Sequence, residues 1–313
     1  HYSIEDDETG CLKSKFVSGA FEVVIADHEY YENFDQHYLW DLRLWNLHFV
    51  IYRRERPEIS ARSWKGPCNM SAEERILLPN HGRDGAAFYD YILWRYTQPP
   101  AAVAFLHGHA ALGWHTSCEA VFTRIFAYYI SLVSPERLPL PNAMVTLTFA
   151  RGRKDTQFAP FQWNGGRKLL DKHPEDTSCI EQLGQVNVSL DRAPFSSCCG
   201  SFIVPGGVFQ RYSPRVYSHL LSYLQNPAVD DYVSGRQCFE FVIYSLFSDP
   251  LNRTSVMDRS ILEQWFKTAK QMRRQLKTRL HRCESFYGNP YLGDESRLLF
   301  NHIWFPKKVY VQR

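Results

Sequence analysis

Residues 76–116 read ILLPNHGRDGAAFYDYILWRYTQPPAAVAFLHGHAALGWHT, and the order of signals in this stretch decides the fold class. Asn80, Gly82, Arg83, Asp84 and Gly85 make a small polar loop in which glycine permits positive φ or a close approach to the backbone. Asp84 is expected as the N-cap of a helix whose Phe88, Tyr91, Ile92 and Arg95 share one face. Pro99-Pro100 ends it, because proline disfavours helical dihedrals in the residue before it. Ala101–Leu106 is a short apolar run, the mark of a strand covered on both faces. It stops abruptly at His107-Gly108-His109, with His115 shortly after. In α/β folds, ligands collect outside the carboxyl ends of such strands. The plainer alternative is a well-packed βα unit with surface histidines.

Working outward, Phe21–Ala26 (FEVVIA) predicts a first strand, followed directly by Asp27, His28 and Glu29. Tyr38–Leu47 reads as helical, His48–Tyr52 as a second strand, and residues 57–75 as a loop. Glu119–Leu132 predicts a helix with Val121, Phe122, Ile125, Tyr129 and Leu132 facing inwards. Residues 135–195 are rich in Pro, Gly and Asp and too long for an ordinary connection, so they read as an insertion. Cys198–Val204 is strand-like. Ser213-Pro214 opens a helix lined by Tyr217, Leu220, Leu221 and Leu224, and Gly235–Phe247 predicts another. From Asp258, Leu262, Phe266, Ala269, Met272, Leu276 and Leu280 form an apolar stripe opposite a crowd of Lys and Arg. Strand, helix, strand, helix is the rhythm of a mostly parallel sheet flanked by helices. We expect an α/β chain with a stem at 1–18, one domain over 19–313, the insertion at 135–195 and a basic C-terminal helix over 256–287.

A net charge of +3 supplies no global field for nucleic acid. No run of eighteen apolar residues is present, so these residues contain no membrane-spanning helix. Eight cysteines and three N-x-[ST] sequons, at Asn69, Asn187 and Asn252, fit an oxidising, glycosylating compartment. The opening HYSIEDDETG resembles neither a signal peptide nor a natural start, which suggests a catalytic domain trimmed from a membrane anchor.

Neither a nucleotide fingerprint nor a Walker loop occurs, and there is no G-x-S-x-G elbow or H-E-x-x-H. His107, His109 and His115 are a weak metal set, since imidazole suits Zn, Mn or Fe. Asp27, His28 and Glu29 form a second weak cluster that a parallel sheet would bring to the same edge. Glu240 lies in the apolar run Cys-Phe-Glu-Phe-Val-Ile, and burial would raise its pKa and suit it to general-base work. The alternative for Glu240 is a salt-bridged core acid, with Arg236 four residues earlier.

Four pieces then carry a likeness: VVIADHEYYE, LPNHGRDGAAFYDYILWRY, VAFLHGH, and CCGSFIVPGGVFQRYSPRVYSHLLSYL ending in GRQCFEFVIYSLF. In this order and spacing the chain resembles a domain family of unassigned function, frequent in fungi and algae, grouped with the GT-A-type glycosyltransferases. The resemblance spans residues 21 to about 247, interrupted at 135–195. It implies a Rossmann-type core and a secretory-pathway transferase, a type II Golgi enzyme moving a sugar from a nucleotide-sugar donor to a glycan or glycoprotein hydroxyl. The donor would lie against Ala26, Asp27, His28 and Glu29, against Asn80, Gly82, Arg83 and Asp84, and against His107 and Gly108. Arg83, with Lys65 or Arg95, would offset diphosphate charge. Cys199, Gly200 and Ser201 would shape the acceptor side, and Glu240 would act as base. His107-Gly108-His109 stands where an Asp-x-Asp metal motif is expected, so either His107 and His109 take Mn²⁺ or another divalent cation, or the mechanism is cation-free. Two other classes remain open: a catalytically silent carbohydrate-binding or scaffold protein, and a histidine-metal hydrolase.

Overall fold

The computed structural model describes Cys11 and residues 21–27, 38–42, 44–53, 62–77, 81–108, 118–133, 144–147, 161–162, 178–188, 195–196, 201–229, 242, 246–247, 265, 267–268 and 271. All of them fall in one compact unit, His1–Thr278. The strands are β1 (Phe21–Asp27), β2 (Leu47–Arg53), β3 (Ser63–Lys65), β4 (Ser71–Ile76), β5 (Ala102–His107), β6 (Val145–Thr146), β7 (Phe161–Gln162), β8 (Phe195–Ser196) and β9 (Phe202–Pro205). The helices are α1 (Arg83–Arg95), α2 (Cys118–Val133), α3 (Ser178–Gln185) and α4 (Pro214–Leu224).

Seven strands form one mixed sheet in the order β3-β4-β2-β1-β5-β9-β6, and β7 and β8 pair separately. The middle four, β4, β2, β1 and β5, are parallel, whereas β3 and β9 run antiparallel to their neighbours, and β6 antiparallel to β9. The class is therefore α/β, with helices against a mixed sheet. From β1 the chain steps outward to β2 and β4, then crosses back through α1 to β5 on the other side of β1. The strand order reverses between β1 and β5.

The β1 register is in phase with both neighbours, Phe21 opposite Leu47 and Ala102. Alternation then sorts the two faces. Val24, Ala26, Val50, Tyr52, Val103 and Phe105 are buried in one core with Phe88, Tyr91 and Ile92 of α1 and Tyr217, Leu220 and Leu224 of α4. On the opposite face Phe21 meets the edges of Tyr128 and Tyr129 from α2, at ring separations of 6.2 and 6.5 Å.

Glu22 is a charge within the covered part of β1. It is buried, yet its carboxylate accepts from Tyr91 Oη at 2.6 Å and from Arg95 Nε and Nη2 at 3.1 and 2.6 Å. Three donors offset the cost of burying the charge. Burial, then the Glu22 charge, pushes the Tyr91 phenol far above its ordinary pKa, so it stays a donor.

Several expectations need correction. Residues 57–75 are not all loop, since β3, a 3-10 turn at Pro67–Asn69 and most of β4 lie there. The β4 sequence SAEERI lacks the apolar β-branched signature because its buried residues are Ala72 and Glu74, and Arg53 Nε pairs with that Glu74 at 3.0 Å. Tyr38–Leu47 contains one 3-10 turn, Tyr38–Leu42, and β2 already begins at Leu47. The strand expected at Cys198–Val204 is Phe202–Pro205. Asp84 does not cap α1. Gly82 does, and Asp84 is the second helical residue. From the 135–195 stretch, β6 joins the main sheet. Val242, Leu246 and Phe247 are helical and buried, as is Trp265, which the apolar stripe omitted and which donates to Ser131 Oγ of α2 at 2.8 Å.

Replacing Arg95 with methionine strands the Glu22 carboxylate. Denaturant unfolding is expected to show a loss of about 3 kcal/mol, and Glu22→Gln in the same chain should restore most of it. Equal losses in the single and double variants would contradict this account.

Candidate functional site

The level register brings the ends of β1, β2 and β5 to one edge, with Asp27 opposite Arg53 and Ala26 opposite His107. The turn after β5 is fastened there by Gly108 N–H donating to Ala26 O at 2.8 Å. Because Ala26 and His107 are paired in register, His107 shares the sheet face of Glu22 and Val24, the face that α1 covers.

Helix α1 opens at this same edge. Gly82 has φ +80° and ψ 12°, a left-handed conformation that favours glycine. A Cβ at Gly82 would sit 2.7 Å from Leu224 O and 2.8 Å from Leu224 Cβ, so the turn is also pressed against the end of α4. Arg83 follows with φ +47°. Ala86 N–H to Gly82 O, 3.1 Å, is the first helical hydrogen bond, and the N–H groups that precede it in a helix have no partner inside it. His81 precedes the turn, its Nε2 2.8 Å from Val229 O.

Asp84 and His107 come together. Asp84 Oδ2 lies against His107 Nδ1, an ion pair when the imidazole is protonated, with side chains only 12% and 11% exposed. The sequence reading named both residues but did not pair them. The signal available was topological: one residue opens the crossover helix, the other ends the strand it leads to.

A polar chain continues from His107. Its backbone N–H donates to Ser201 Oγ at 3.3 Å, Leu147 N–H donates to Ser201 O at 2.8 Å, and Arg124 Nη1 donates to Leu147 O at 2.6 Å. Ser201 and Arg124 are both buried. Burial pushes the Arg124 pKa well below its ordinary value. Sequence reasoning missed Arg124, whose position within an apolar helix gave no periodic signal. The edge is thus tied by hydrogen bonds and one ion pair from α2, through β6, β9 and β5, to the first turn of α1.

Of the expected site residues, Ala26, Asp27, Gly82, Arg83, Asp84, His107, Gly108 and Ser201 share this edge. Arg95 does not: it is held by Glu22 at the start of β1, the opposite edge. Lys65 pairs with Ser71 at the start of β4, also opposite. His28, Glu29, Asn80, His109, His115, Cys199, Gly200, Glu240 and Asn252 lie outside the described residues. Among the described residues no three His, Cys, Asp or Glu side chains group to hold a metal ion. The Asp84–His107 pair supplies two donors at most, so these residues alone do not fit a divalent cation, and no chemical step is routed through one.

Chemically, the edge offers an imidazole against a carboxylate, a pair able to hold or pass on a proton, beside a helix N-terminus and a guanidinium that favour an anion.

Gly82→Ala is expected to cost about 2 kcal/mol or more in denaturant unfolding, from strain at positive φ and collision with Leu224. A change within about 0.5 kcal/mol, the range of an ordinary surface substitution, would refute the tight turn. A double-mutant cycle of Asp84→Asn and His107→Gln should give a coupling of about 1–3 kcal/mol, and additive losses would deny the pair. No protein-family model, no curated protein and no solved structure significantly matches this chain.

Proposed function

We propose that the protein is a nucleotide-sugar-dependent glycosyltransferase of the secretory pathway, acting on a glycan or glycoprotein hydroxyl. The observation that carries the reading is the meeting of the Gly82–Asp84 turn with His107-Gly108 where the strand order reverses between β1 and β5. Crevices at such reversals are where doubly wound sheets take their ligands. The order β4-β2-β1-β5 supports a Rossmann-type half, since it corresponds to the 3-2-1-4 portion of that sheet. The antiparallel β9 departs from it.

In this reading the diphosphate rests on the first turn of α1. Backbone N–H groups and the helix dipole favour its charge, and Arg83 supplies a guanidinium for a two-pronged contact. Asp84 contributes no charge to the anion's benefit. Facing His107, its carboxylate is turned to the imidazole, which limits its repulsion of the diphosphate. Glu240 is the base that removes the acceptor's proton as the sugar's C1 is attacked, and the nucleoside diphosphate leaves with the bonding electrons. The Ser201 end of β9 lines the acceptor side.

The reading is tested by thermal shift against UDP, GDP, CMP and their sugars, with Mn²⁺ and with EDTA. A ligand bound only by the native state raises the melting temperature. One nucleotide series should do so, and Arg83→Ala should weaken that ligand about tenfold or more, as expected for a lost charge-assisted hydrogen bond. Glu240→Gln should keep the shift and lose turnover. A shift with metal alone would favour a histidine-metal hydrolase. Silence with every nucleotide, or binding without turnover, would favour a carbohydrate-binding or scaffold protein.

A further inference from the structure

We infer that this chain carries N-linked glycans on Asn69 and Asn187, independently of the transferase reading. Both asparagines begin a sequon, Asn69-Met70-Ser71 and Asn187-Val188-Ser189. Both are exposed in the fold, and both sit in left-handed turns, at φ +53° and +58°. An acceptor asparagine that ended in the core could not carry a sugar in the folded protein. These two end where a sugar can project into water.

The turn at Asn69 adds an independent sign of the compartment. Cys68, itself at φ +62°, is disulfide-bonded to Cys11 across 57 residues, a bond that persists where thiols are oxidised. Asn46 N–H donates to Cys68 O at 3.1 Å, and Asn69 Nδ2 donates to Asn46 Oδ1. A glycosylated amide nitrogen keeps one hydrogen, so that last contact survives modification. Asn69 also precedes the start of β4, the sheet edge opposite His107, and its glycan would leave the candidate site uncovered.

At Asn187 the backbone alone ends α3: Asn187 N–H donates to Gly184 O at 3.1 Å and Val188 N–H to Leu183 O at 2.9 Å. The side chain takes no part in the cap. In each transfer Nδ2 forms a bond to C1 of the sugar and releases a proton. The C1–O bond of a lipid-diphosphate-linked oligosaccharide breaks, and the lipid diphosphate leaves.

The test is peptide mapping of the protein isolated from the cells that make it, before and after peptide N-glycosidase. Glycosidase treatment should lower the intact mass and leave aspartate at positions 69 and 187. A non-reduced digest should yield the Cys11–Cys68 peptide pair. Asn69→Gln and Asn187→Gln should each remove one glycan. Because a longer side chain strains the Asn69 turn, Ser71→Ala serves as a second variant that keeps Asn69 and removes the sequon. Recovery of either position as unmodified asparagine overturns the assignment for that site. An intact mass equal to the bare polypeptide overturns the whole inference.

Discussion

Strand β1 is buried on both faces between two parallel neighbours that start level with it. Everything else follows from that constraint. A strand covered on both sides cannot place polar side chains along its length without partners. Its buried Glu22 therefore requires Tyr91 and Arg95. Charge without such a partner has to collect at the strand ends, and the level register gathers the carboxyl ends into a single edge.

Helix α1 connects the two edges and treats them differently. At its C-terminal end Arg95 neutralises Glu22, a structural pairing. At its N-terminal end the helix begins with two residues at positive φ, Gly82 and Arg83, wedged against Leu224. There Asp84, in the first turn, lies against His107. The polar chain through Ser201 and Leu147 to Arg124 fixes the other side of the edge. A preorganised edge of this kind costs little further ordering when a ligand arrives.

Much of this was legible in the sequence. The runs FEVVIA, HFVIY and AVAFL declare buried parallel strands because a strand between two covered faces is mostly apolar. Ser213-Pro214 announced α4 to the residue. What escaped did so for physical reasons. Strand β4 hides because, between β2 and the short edge strand β3, its buried side chains are only Ala72 and an Arg53-paired Glu74. The capping role expected of Asp84 went to Gly82, since the helix already begins at Arg83 and carries Asp84 inside its first turn. Arg124 is silent because one buried cation in an apolar helix, donating to the Leu147 carbonyl just past β6, leaves no periodic trace. The pairing across the edge depends on which strand follows the crossover helix, and one-dimensional spacing does not reveal that.

The central claim is that ligand binds at the carboxyl edge between β1 and β5. Amide hydrogen exchange with and without a saturating nucleoside diphosphate measures this most directly. The account predicts slowed exchange confined to peptides containing Gly82–Asp84, His107-Gly108 and the end of β1, with the Glu22–Arg95 end unchanged. Protection centred on β3, on the start of β4 or on the C-terminal turn of α1, with the carboxyl edge unaffected, would contradict it.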